Sequence, residues 1–201
     1  VASSASLNTL LPRFTLMGWI FNTAVSAFST IFNLGGSQAV NVFIASTGSG
    51  FAVQEFICEV NATTHKGQGY SVDNVVPLNT WVHVATTYDD SGDRKPRLFI
   101  NGVEPAYNFS TPIASVGAVS SIAGLSDLIG MGTAGVNRFS GRIAEVQFYN
   151  TVLTSTQIQI AMNGGSPIPE NLVTYLPLLG TASPEIDVSG NKNVGVLTGT
   201  T

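Results

Sequence analysis

The sequence predicts an all-β fold, a two-sheet antiparallel jelly-roll sandwich with one short helix. Three observations carry this. Short β-rich runs recur along the whole chain, Gly-rich turns separate them, and only one stretch has the boundary signals of a helix. Residues 14–21 follow Pro12 as the first strand-like run, and residues 29–34 form a second, stopped by Gly35 and Gly36. Residues 40–44 and 51–60 come next, split by Thr47-Gly48-Ser49-Gly50, which reads as a hairpin turn. Residues 81–88 are the strongest strand: Val82, Val84, Thr86 and Tyr88 form a core face, and Trp81, His83, Ala85 and Thr87 a face only partly covered.

Residues 89–93, DDSGD, have turn composition, residues 97–100 are the return strand, and Asn101-Gly102 is the best short hairpin signal in the chain. Residues 127–132 and 139–149 continue the pattern. In the latter the alternation slips by one residue near Ala144-Glu145, which predicts a β-bulge. The helix is expected over 154–163. Thr154 is its N-cap, Gln157 completes a capping box, Gly164 stops it, and Ile158, Ala161 and Met162 share one face. It is expected to close an edge or end of the sandwich. Residues 171–201 are too few to hold a core alone. They are read as completing a single jelly-roll domain over 1–201, with strands at 172–176 and 194–197.

Of the 201 residues, 44% are hydrophobic and 10% charged, with a net charge of −4, which argues against a disordered chain. Only eight residues are Lys or Arg, too few to neutralise a phosphate backbone, so nucleic acid is not an expected partner. No run of 18 apolar residues occurs and the first residues lack signal-peptide features, so neither a membrane span nor an uncleaved leader is expected. Cys58 is the one cysteine, which excludes an intrachain disulfide. It shares a strand face with Phe56 and Val60 and reads as a buried structural thiol.

Three segments together resemble the laminin-G-like, concanavalin A-like lectin/glucanase jelly-roll family. They are residues 14–20, FTLMGWI; residues 79–89, NTWVHVATTYD, with 97–103, RLFINGV; and residues 139–150, FSGRIAEVQFYN, followed by Leu153-Thr154. The resemblance covers roughly residues 5–163 and implies the fold more than a function. It also makes Trp19 and Trp81 core residues and His83 a structural residue hydrogen-bonded inside the sandwich. Residues 183–195, SPEIDVSGNKNVG, look like the segment that usually opens such a domain, yet here they close the chain. That suggests a permuted strand order with the tail completing the domain; a truncated second copy is the rival reading.

The family includes glycan-cleaving enzymes, whose paired carboxyl groups stand about 5–5.5 Å or about 6.5–9.5 Å apart. Glu55 and Glu59 share a strand face, but four residues of strand separate their backbones by ~13 Å. Glu185-Ile186-Asp187 echoes a glucanase signature whose third carboxylate is missing, because position 190 is Gly. Glu145 has Arg142 as its nearest expected partner. His65 lies in a polar loop, and no Ser-His-Asp set can be assembled, so no enzyme is expected.

Relatives often hold calcium, and Asp89, Asp90 and Asp93 are the one acidic cluster that could supply oxygen ligands. Arg94 and Lys95 beside it favour a plain turn. For glycan binding, Tyr70, Tyr107 and Asn108 are the candidates, on residues expected to lie in loops. Asn61-Ala62-Thr63 and Asn108-Phe109-Ser110 fit the N-glycosylation pattern. The leading expectation is a non-catalytic structural or adhesive module displayed extracellularly, on a virion or cell surface, for capsid decoration or attachment. Its partners would be protein subunits, including copies of itself, or surface glycans. A carbohydrate-binding lectin-like module is the alternative, and a glycan hydrolase or lyase the remote third.

Overall fold

The computed structural model describes residues 1–24, 27–36, 39–46, 53–114, 118–180 and 183–196. The turn expected at 47–50, the start of the strand expected at 51–60, and Leu197 lie outside them. The strands are β1 (Arg13–Asn22), β2 (Phe28–Leu34), β3 (Val40–Ala45), β4 (Glu55–Asn61), β5 (Lys66–Ser71), β6 (Trp81–Asp89), β7 (Arg97–Ile100), β8 (Tyr107–Thr111), β9 (Leu128–Ile129), β10 (Gly141–Tyr149) and β11 (Leu172–Leu176). The helix is α1 (Ser155–Met162). The strands form a five-stranded sheet in the order β11-β10-β1-β6-β7 and a six-stranded sheet in the order β8-β5-β4-β3-β2-β9. All the strand pairings are antiparallel.

Alternation decides which side chains meet between the sheets. Phe14, Leu16 and Ile20 of β1, Val82, Val84 and Tyr88 of β6, and Val146 and Phe148 of β10 face one way. Phe32 and Leu34 of β2, Val40, Val42 and Ile44 of β3, and Phe56, Cys58 and Val60 of β4 join them in one buried cluster. Phe32 and Phe148 lock the sheets edge-to-face, with ring centroids 5.4 Å apart. Burial pushes the Cys58 thiol up to about 12, in keeping with the inert structural role expected of it. Gly67 and Gly69 put no side chain on the inner face of β5. A Cβ on Gly69 would lie 2.9 Å from the Pro96 carbonyl oxygen, so glycine lets the β6–β7 connection close over the sheet.

The expected bulge is present. Between the pairs Met17↔Gln147 and Trp19↔Ala144, Gly18 of β1 faces two residues of β10, and Glu145 takes φ +53° there. The Asn101-Gly102 turn forms, with φ +49° and +75° and backbone hydrogen bonds exchanged between Val103 and Ile100, but the hairpin expected there ends at that one pair: β7 pairs with β6, and β8 with β5 in the other sheet. The capping box on α1 is also formed: the Gln157 N–H donates to Thr154 Oγ1, and the Thr154 N–H to Gln157 Oε1.

The helix covers a face, not the edge or end expected from the sequence. Ile158 and Ala161 pack with Leu153 on Met17, Ala85, Phe99 and Tyr149, the outward side of the five-stranded sheet. The tail contributes β11 on the free edge of β10, and then an isolated bridge between Glu185 and Gly195 where a strand was expected. Asp187 organises this tail. Its carboxylate accepts from the backbone N–H groups of Tyr175, Ser189 and Asn193. Asn193 in turn bonds Ser4, Ser6 and the Val173 carbonyl, which ties the tail to the first residues of the chain.

Candidate functional site

Because α1 lies on the five-stranded sheet, no α-helix of the described residues covers the outward face of the six-stranded sheet; only the 132–137 segment, with a short 3-10 turn at Thr133–Gly135, lies against one end of it. Period-two alternation sends there the residues that β2 to β5 do not contribute to the core. Strand register then arranges them in rows across the sheet. One row pairs Thr30 with Phe43, Phe43 with Ile57, Ile57 with Tyr70 and Tyr70 with Phe109. The next pairs Asn33 with Asn41, Asn41 with Glu59, Glu59 with Gln68 and Gln68 with Thr111. On the other side Phe28, Ala45 and Glu55 line up. Each long row crosses five strands, roughly 19 Å at the usual strand spacing.

The apolar row is a floor. Phe43, Ala45 and Ile57 are buried there with Phe28 and Tyr70 packed against them, separate from the main core. Phe28 meets Phe43 edge-to-face at 5.5 Å, and Tyr70 meets Phe109 at 5.3 Å. Phe109 is 44% exposed, so the second pair offers a ring to solvent.

The polar row is a connected network around Glu59. Lys66 Nζ donates to Glu59 Oε2 at 2.9 Å, while Gln68 Nε2 (2.8 Å) and Tyr70 Oη (2.9 Å) both donate to Oε1. Burial, and then the Glu59 charge, push the Tyr70 phenol well above its ordinary value, so it stays a donor. Asn33 Nδ2 donates to Asn41 Oδ1 at 2.6 Å, and Asn108 Nδ2 bridges Glu55 and Asp73 at 2.9 Å to each. At the β2–β3 end the face deepens into a cavity of about 260 Å³. Phe28, Phe43, Asn33, Asn41 and Glu59 line it, with Val136 and Asn137 at its rim. An apolar wall with a few convergent amides and a carboxylate is the composition of a small-ligand site.

Of the three glycan candidates, Tyr70 and Asn108 belong to this face, but on strands β5 and β8, not loops. Tyr107 is also in β8 and serves the other side: its hydroxyl accepts from the Leu98 N–H and donates to Glu104. The missed residues are Phe28, Asn33, Asn41, Phe43, Glu59 and Gln68. Their signal was the polar or aromatic complement of an alternating core strand, as in Asn41, Phe43 and Ala45 between Val40, Val42 and Ile44.

Each carboxylate of the acidic cluster offered for calcium is engaged by its own neighbours. Asp89 accepts from the Ser91 N–H and hydroxyl, Asp90 from Tyr88 and Arg94, and Asp93 pairs with Arg97 and the Lys95 N–H. Among the described residues no three His, Cys, Asp or Glu side chains are grouped to hold a metal. Their geometry is that of a turn stapled by its own arginines.

Other expectations are corrected on the opposite sheet. Trp81 is 41% exposed, its ring tilted against Phe21 at 5.6 Å and outside the cluster that packs with α1; Trp19 is half-buried. His83 is buried, but its Nδ1 has no hydrogen-bond partner, and Trp19 meets it edge-on at 5.4 Å. Glu145 is bonded by Tyr175, while Arg142 lies over Phe21 at 5.9 Å. Glu185 and Asp187 are buried acceptors for backbone N–H groups, an architectural use of both carboxylates.

A family model of the concanavalin A-like lectin/glucanases superfamily matches residues 1–159. The chain belongs to that superfamily. As a superfamily member it has the fold that its name implies, and solved structures agree. It is similar to a Bacteroides ovatus protein provisionally assigned to carbohydrate binding (21% identity, TM-score 0.63), covering 92% of this chain and 51% of that one. It is similar to the family 40 carbohydrate-binding module of a Ruminococcus gnavus sialidase, solved with α2,3-sialyllactose (17% identity, TM-score 0.55), over 79% of this chain and 90% of that one. The enzymatically active domain of bacteriophage CBA120 tailspike protein 2 matches at 14% identity and TM-score 0.60, over 90% and 28% of the two chains. The chain thus spans about half the length of the Bacteroides protein. No curated protein matches it. Among the described residues, no helix is long and apolar enough to cross a membrane.

Proposed function

We propose that this chain is a non-catalytic carbohydrate-binding module that engages glycans with the outward face of its six-stranded sheet. The observation that carries the reading is the register of that face: an aromatic row beside an amide-and-carboxylate row, ending in a cavity. Aromatic faces cover the apolar C–H surface of a sugar ring, and amides and carboxylates take its hydroxyls. The likeness to carbohydrate-binding modules supports the same reading, which was the alternative at the level of sequence. Display outside the cell, on a cell or virion surface, is consistent with it.

Binding is favoured over hydrolysis because the Glu59 carboxylate is engaged by three side-chain donors and Glu55 by Asn108. Glycan-array screening followed by calorimetry tests the reading. Binding that Tyr70→Ala and Asn108→Ala weaken supports it. Turnover of a bound glycan, abolished by Glu59→Gln, would replace it with an enzyme.

The structural or adhesive reading rests on a different observation, the exposed Trp81 beside Phe21 and Arg142 on the helix-free end of the other sheet. That patch would make contacts between copies. Self-association in sedimentation runs, removed by Trp81→Ser, supports assembly; a monomer at high concentration dismisses it.

A further inference from the structure

Deepening the carbohydrate-binding reading, on which it rests, we propose that this face selects uncharged glycans and rejects those bearing carboxylates. The chain carries only eight lysine and arginine side chains. The eight are Arg13, Lys66, Arg94, Lys95, Arg97, Arg138, Arg142 and Lys192. Arg13, Arg97 and Arg142 stand on strands of the opposite sheet. Arg94 and Lys95 lie in the β6–β7 connection, where Arg94 pairs with Asp90. Lys192 is in the tail. Arg138 follows the cavity rim in sequence, but its side chain turns back on the Gly135 carbonyl and lines a different cavity at the sandwich edge.

Lys66 is therefore the single lysine or arginine on the face, and Glu59 already holds it at 2.9 Å. His65 sits at the β4–β5 turn with its ring bonded to Thr64. Against these stand three carboxylates, Glu55, Glu59 and Asp73, with Glu59 inside the cavity wall. An anionic sugar would meet a like charge with no unengaged guanidinium to receive it, and like charges placed together across an interface are strongly unfavourable. Neutral hydroxyls suit the same surface. They can donate to the carboxylates and to amide oxygens, and can accept from amide N–H groups. The ligand class expected is a neutral pentose or hexose oligosaccharide lying across the strands, with one unit in the cavity.

The test is an array of oligosaccharide pairs, each a neutral chain and its sialylated or uronic-acid counterpart, probed with the whole chain at two salt concentrations. Expected is binding to neutral members, at least tenfold weaker or absent for their acidic counterparts, with affinity for the neutral chain insensitive to salt. Val136 is 55% exposed on the cavity rim, so Val136→Arg should fold normally and narrow or reverse the preference, restoring acidic members. Equal or stronger wild-type binding of acidic members overturns the selectivity and leaves the carbohydrate reading standing. A preference that Val136→Arg leaves unmoved in a folded variant overturns the assignment of selectivity to this cavity. No binding to any member of the array overturns the carbohydrate reading, and the selectivity with it.

Discussion

The outward faces of the two sheets start from the same alternating strands and end in opposite conditions. On the five-stranded sheet, Met17, Ala85 and Tyr149 are small or apolar enough to seat α1, and the helix removes them from water. On the six-stranded sheet, the corresponding positions carry Asn41, Glu59 and Gln68 beside aromatic rings. A helix laid over that mixture would take the Glu59 charge and its amide neighbours further out of water, which is costly even for hydrogen-bonded groups. The candidate site is thus set as much by where α1 packs as by its own residues. One sheet uses its outer surface for stability, and the other is left open for the proposed ligand.

The comparison breaks most readily at the sealed face. Ile158→Ala should destabilise the fold by about 2–5 kcal/mol, as a buried large-to-small change, while the folded fraction keeps its glycan affinity. Urea unfolding followed by calorimetry would check both halves. Loss of affinity in folded protein would mean the faces are coupled.

Titration separates the regions next. Burial depresses His83, on the sealed sheet, to about 4, so its stabilising contribution is present above the ordinary value of 6.5 and is lost as pH falls toward 4. Asp127 lies at the sandwich edge, where burial raises it to about 6 despite the Gly35 N–H; its contribution is present below 3.8 and is lost as pH rises through 6. Each is on the order of 3 kcal/mol, and the two oppose each other over one window. Wild-type stability should therefore be nearly flat between about pH 4 and 6. His83→Gln should grow less stable as pH rises across that window, and Asp127→Asn more stable. Urea midpoints with the same pH slope in both variants would refute the assignment.

On the open face the effects should appear in affinity. Tyr70→Ala is expected to weaken glycan binding at least tenfold, about 1.4 kcal/mol. Tyr107→Phe should do the reverse. It should lose about 1 kcal/mol of stability with the hydroxyl that accepts from Leu98, and leave binding unchanged. The smallest effect expected is none at all. A chelator should not alter binding, since Asp89, Asp90 and Asp93 are occupied by their own neighbours; a calcium-dependent affinity would reopen that turn.

Much of the fold was legible because its signals are local. The Thr154 cap, the Asn101-Gly102 turn and the phase slip at Glu145 each occupy a few adjacent residues. Backbone hydrogen bonding acts at that range. The site was less legible. Residue type singles out Tyr70 and Asn108 as candidates but places them in loops, where the structure has strands β5 and β8, and groups Tyr107 with them although β8 turns it inward. Trp81 was assigned to the core because its motif position suggested burial, and exposure there depends on how far α1 extends. His83 was expected to be hydrogen-bonded, which no local pattern can guarantee.

The all-β class, the helix and its N-terminal cap, the bulge, the buried thiol and the shortage of cations could be read from the chain alone. These follow from residue type and from spacings of two to four along the chain. Tertiary structure alone decided that Phe43, Ile57 and Tyr70 fall into one row and Asn41, Glu59 and Gln68 into the next. It also decided that the helix seals the far sheet and that the tail docks against the first residues. Strand register and sheet order join residues tens of positions apart, through contacts whose energies depend on packing and not on local propensity.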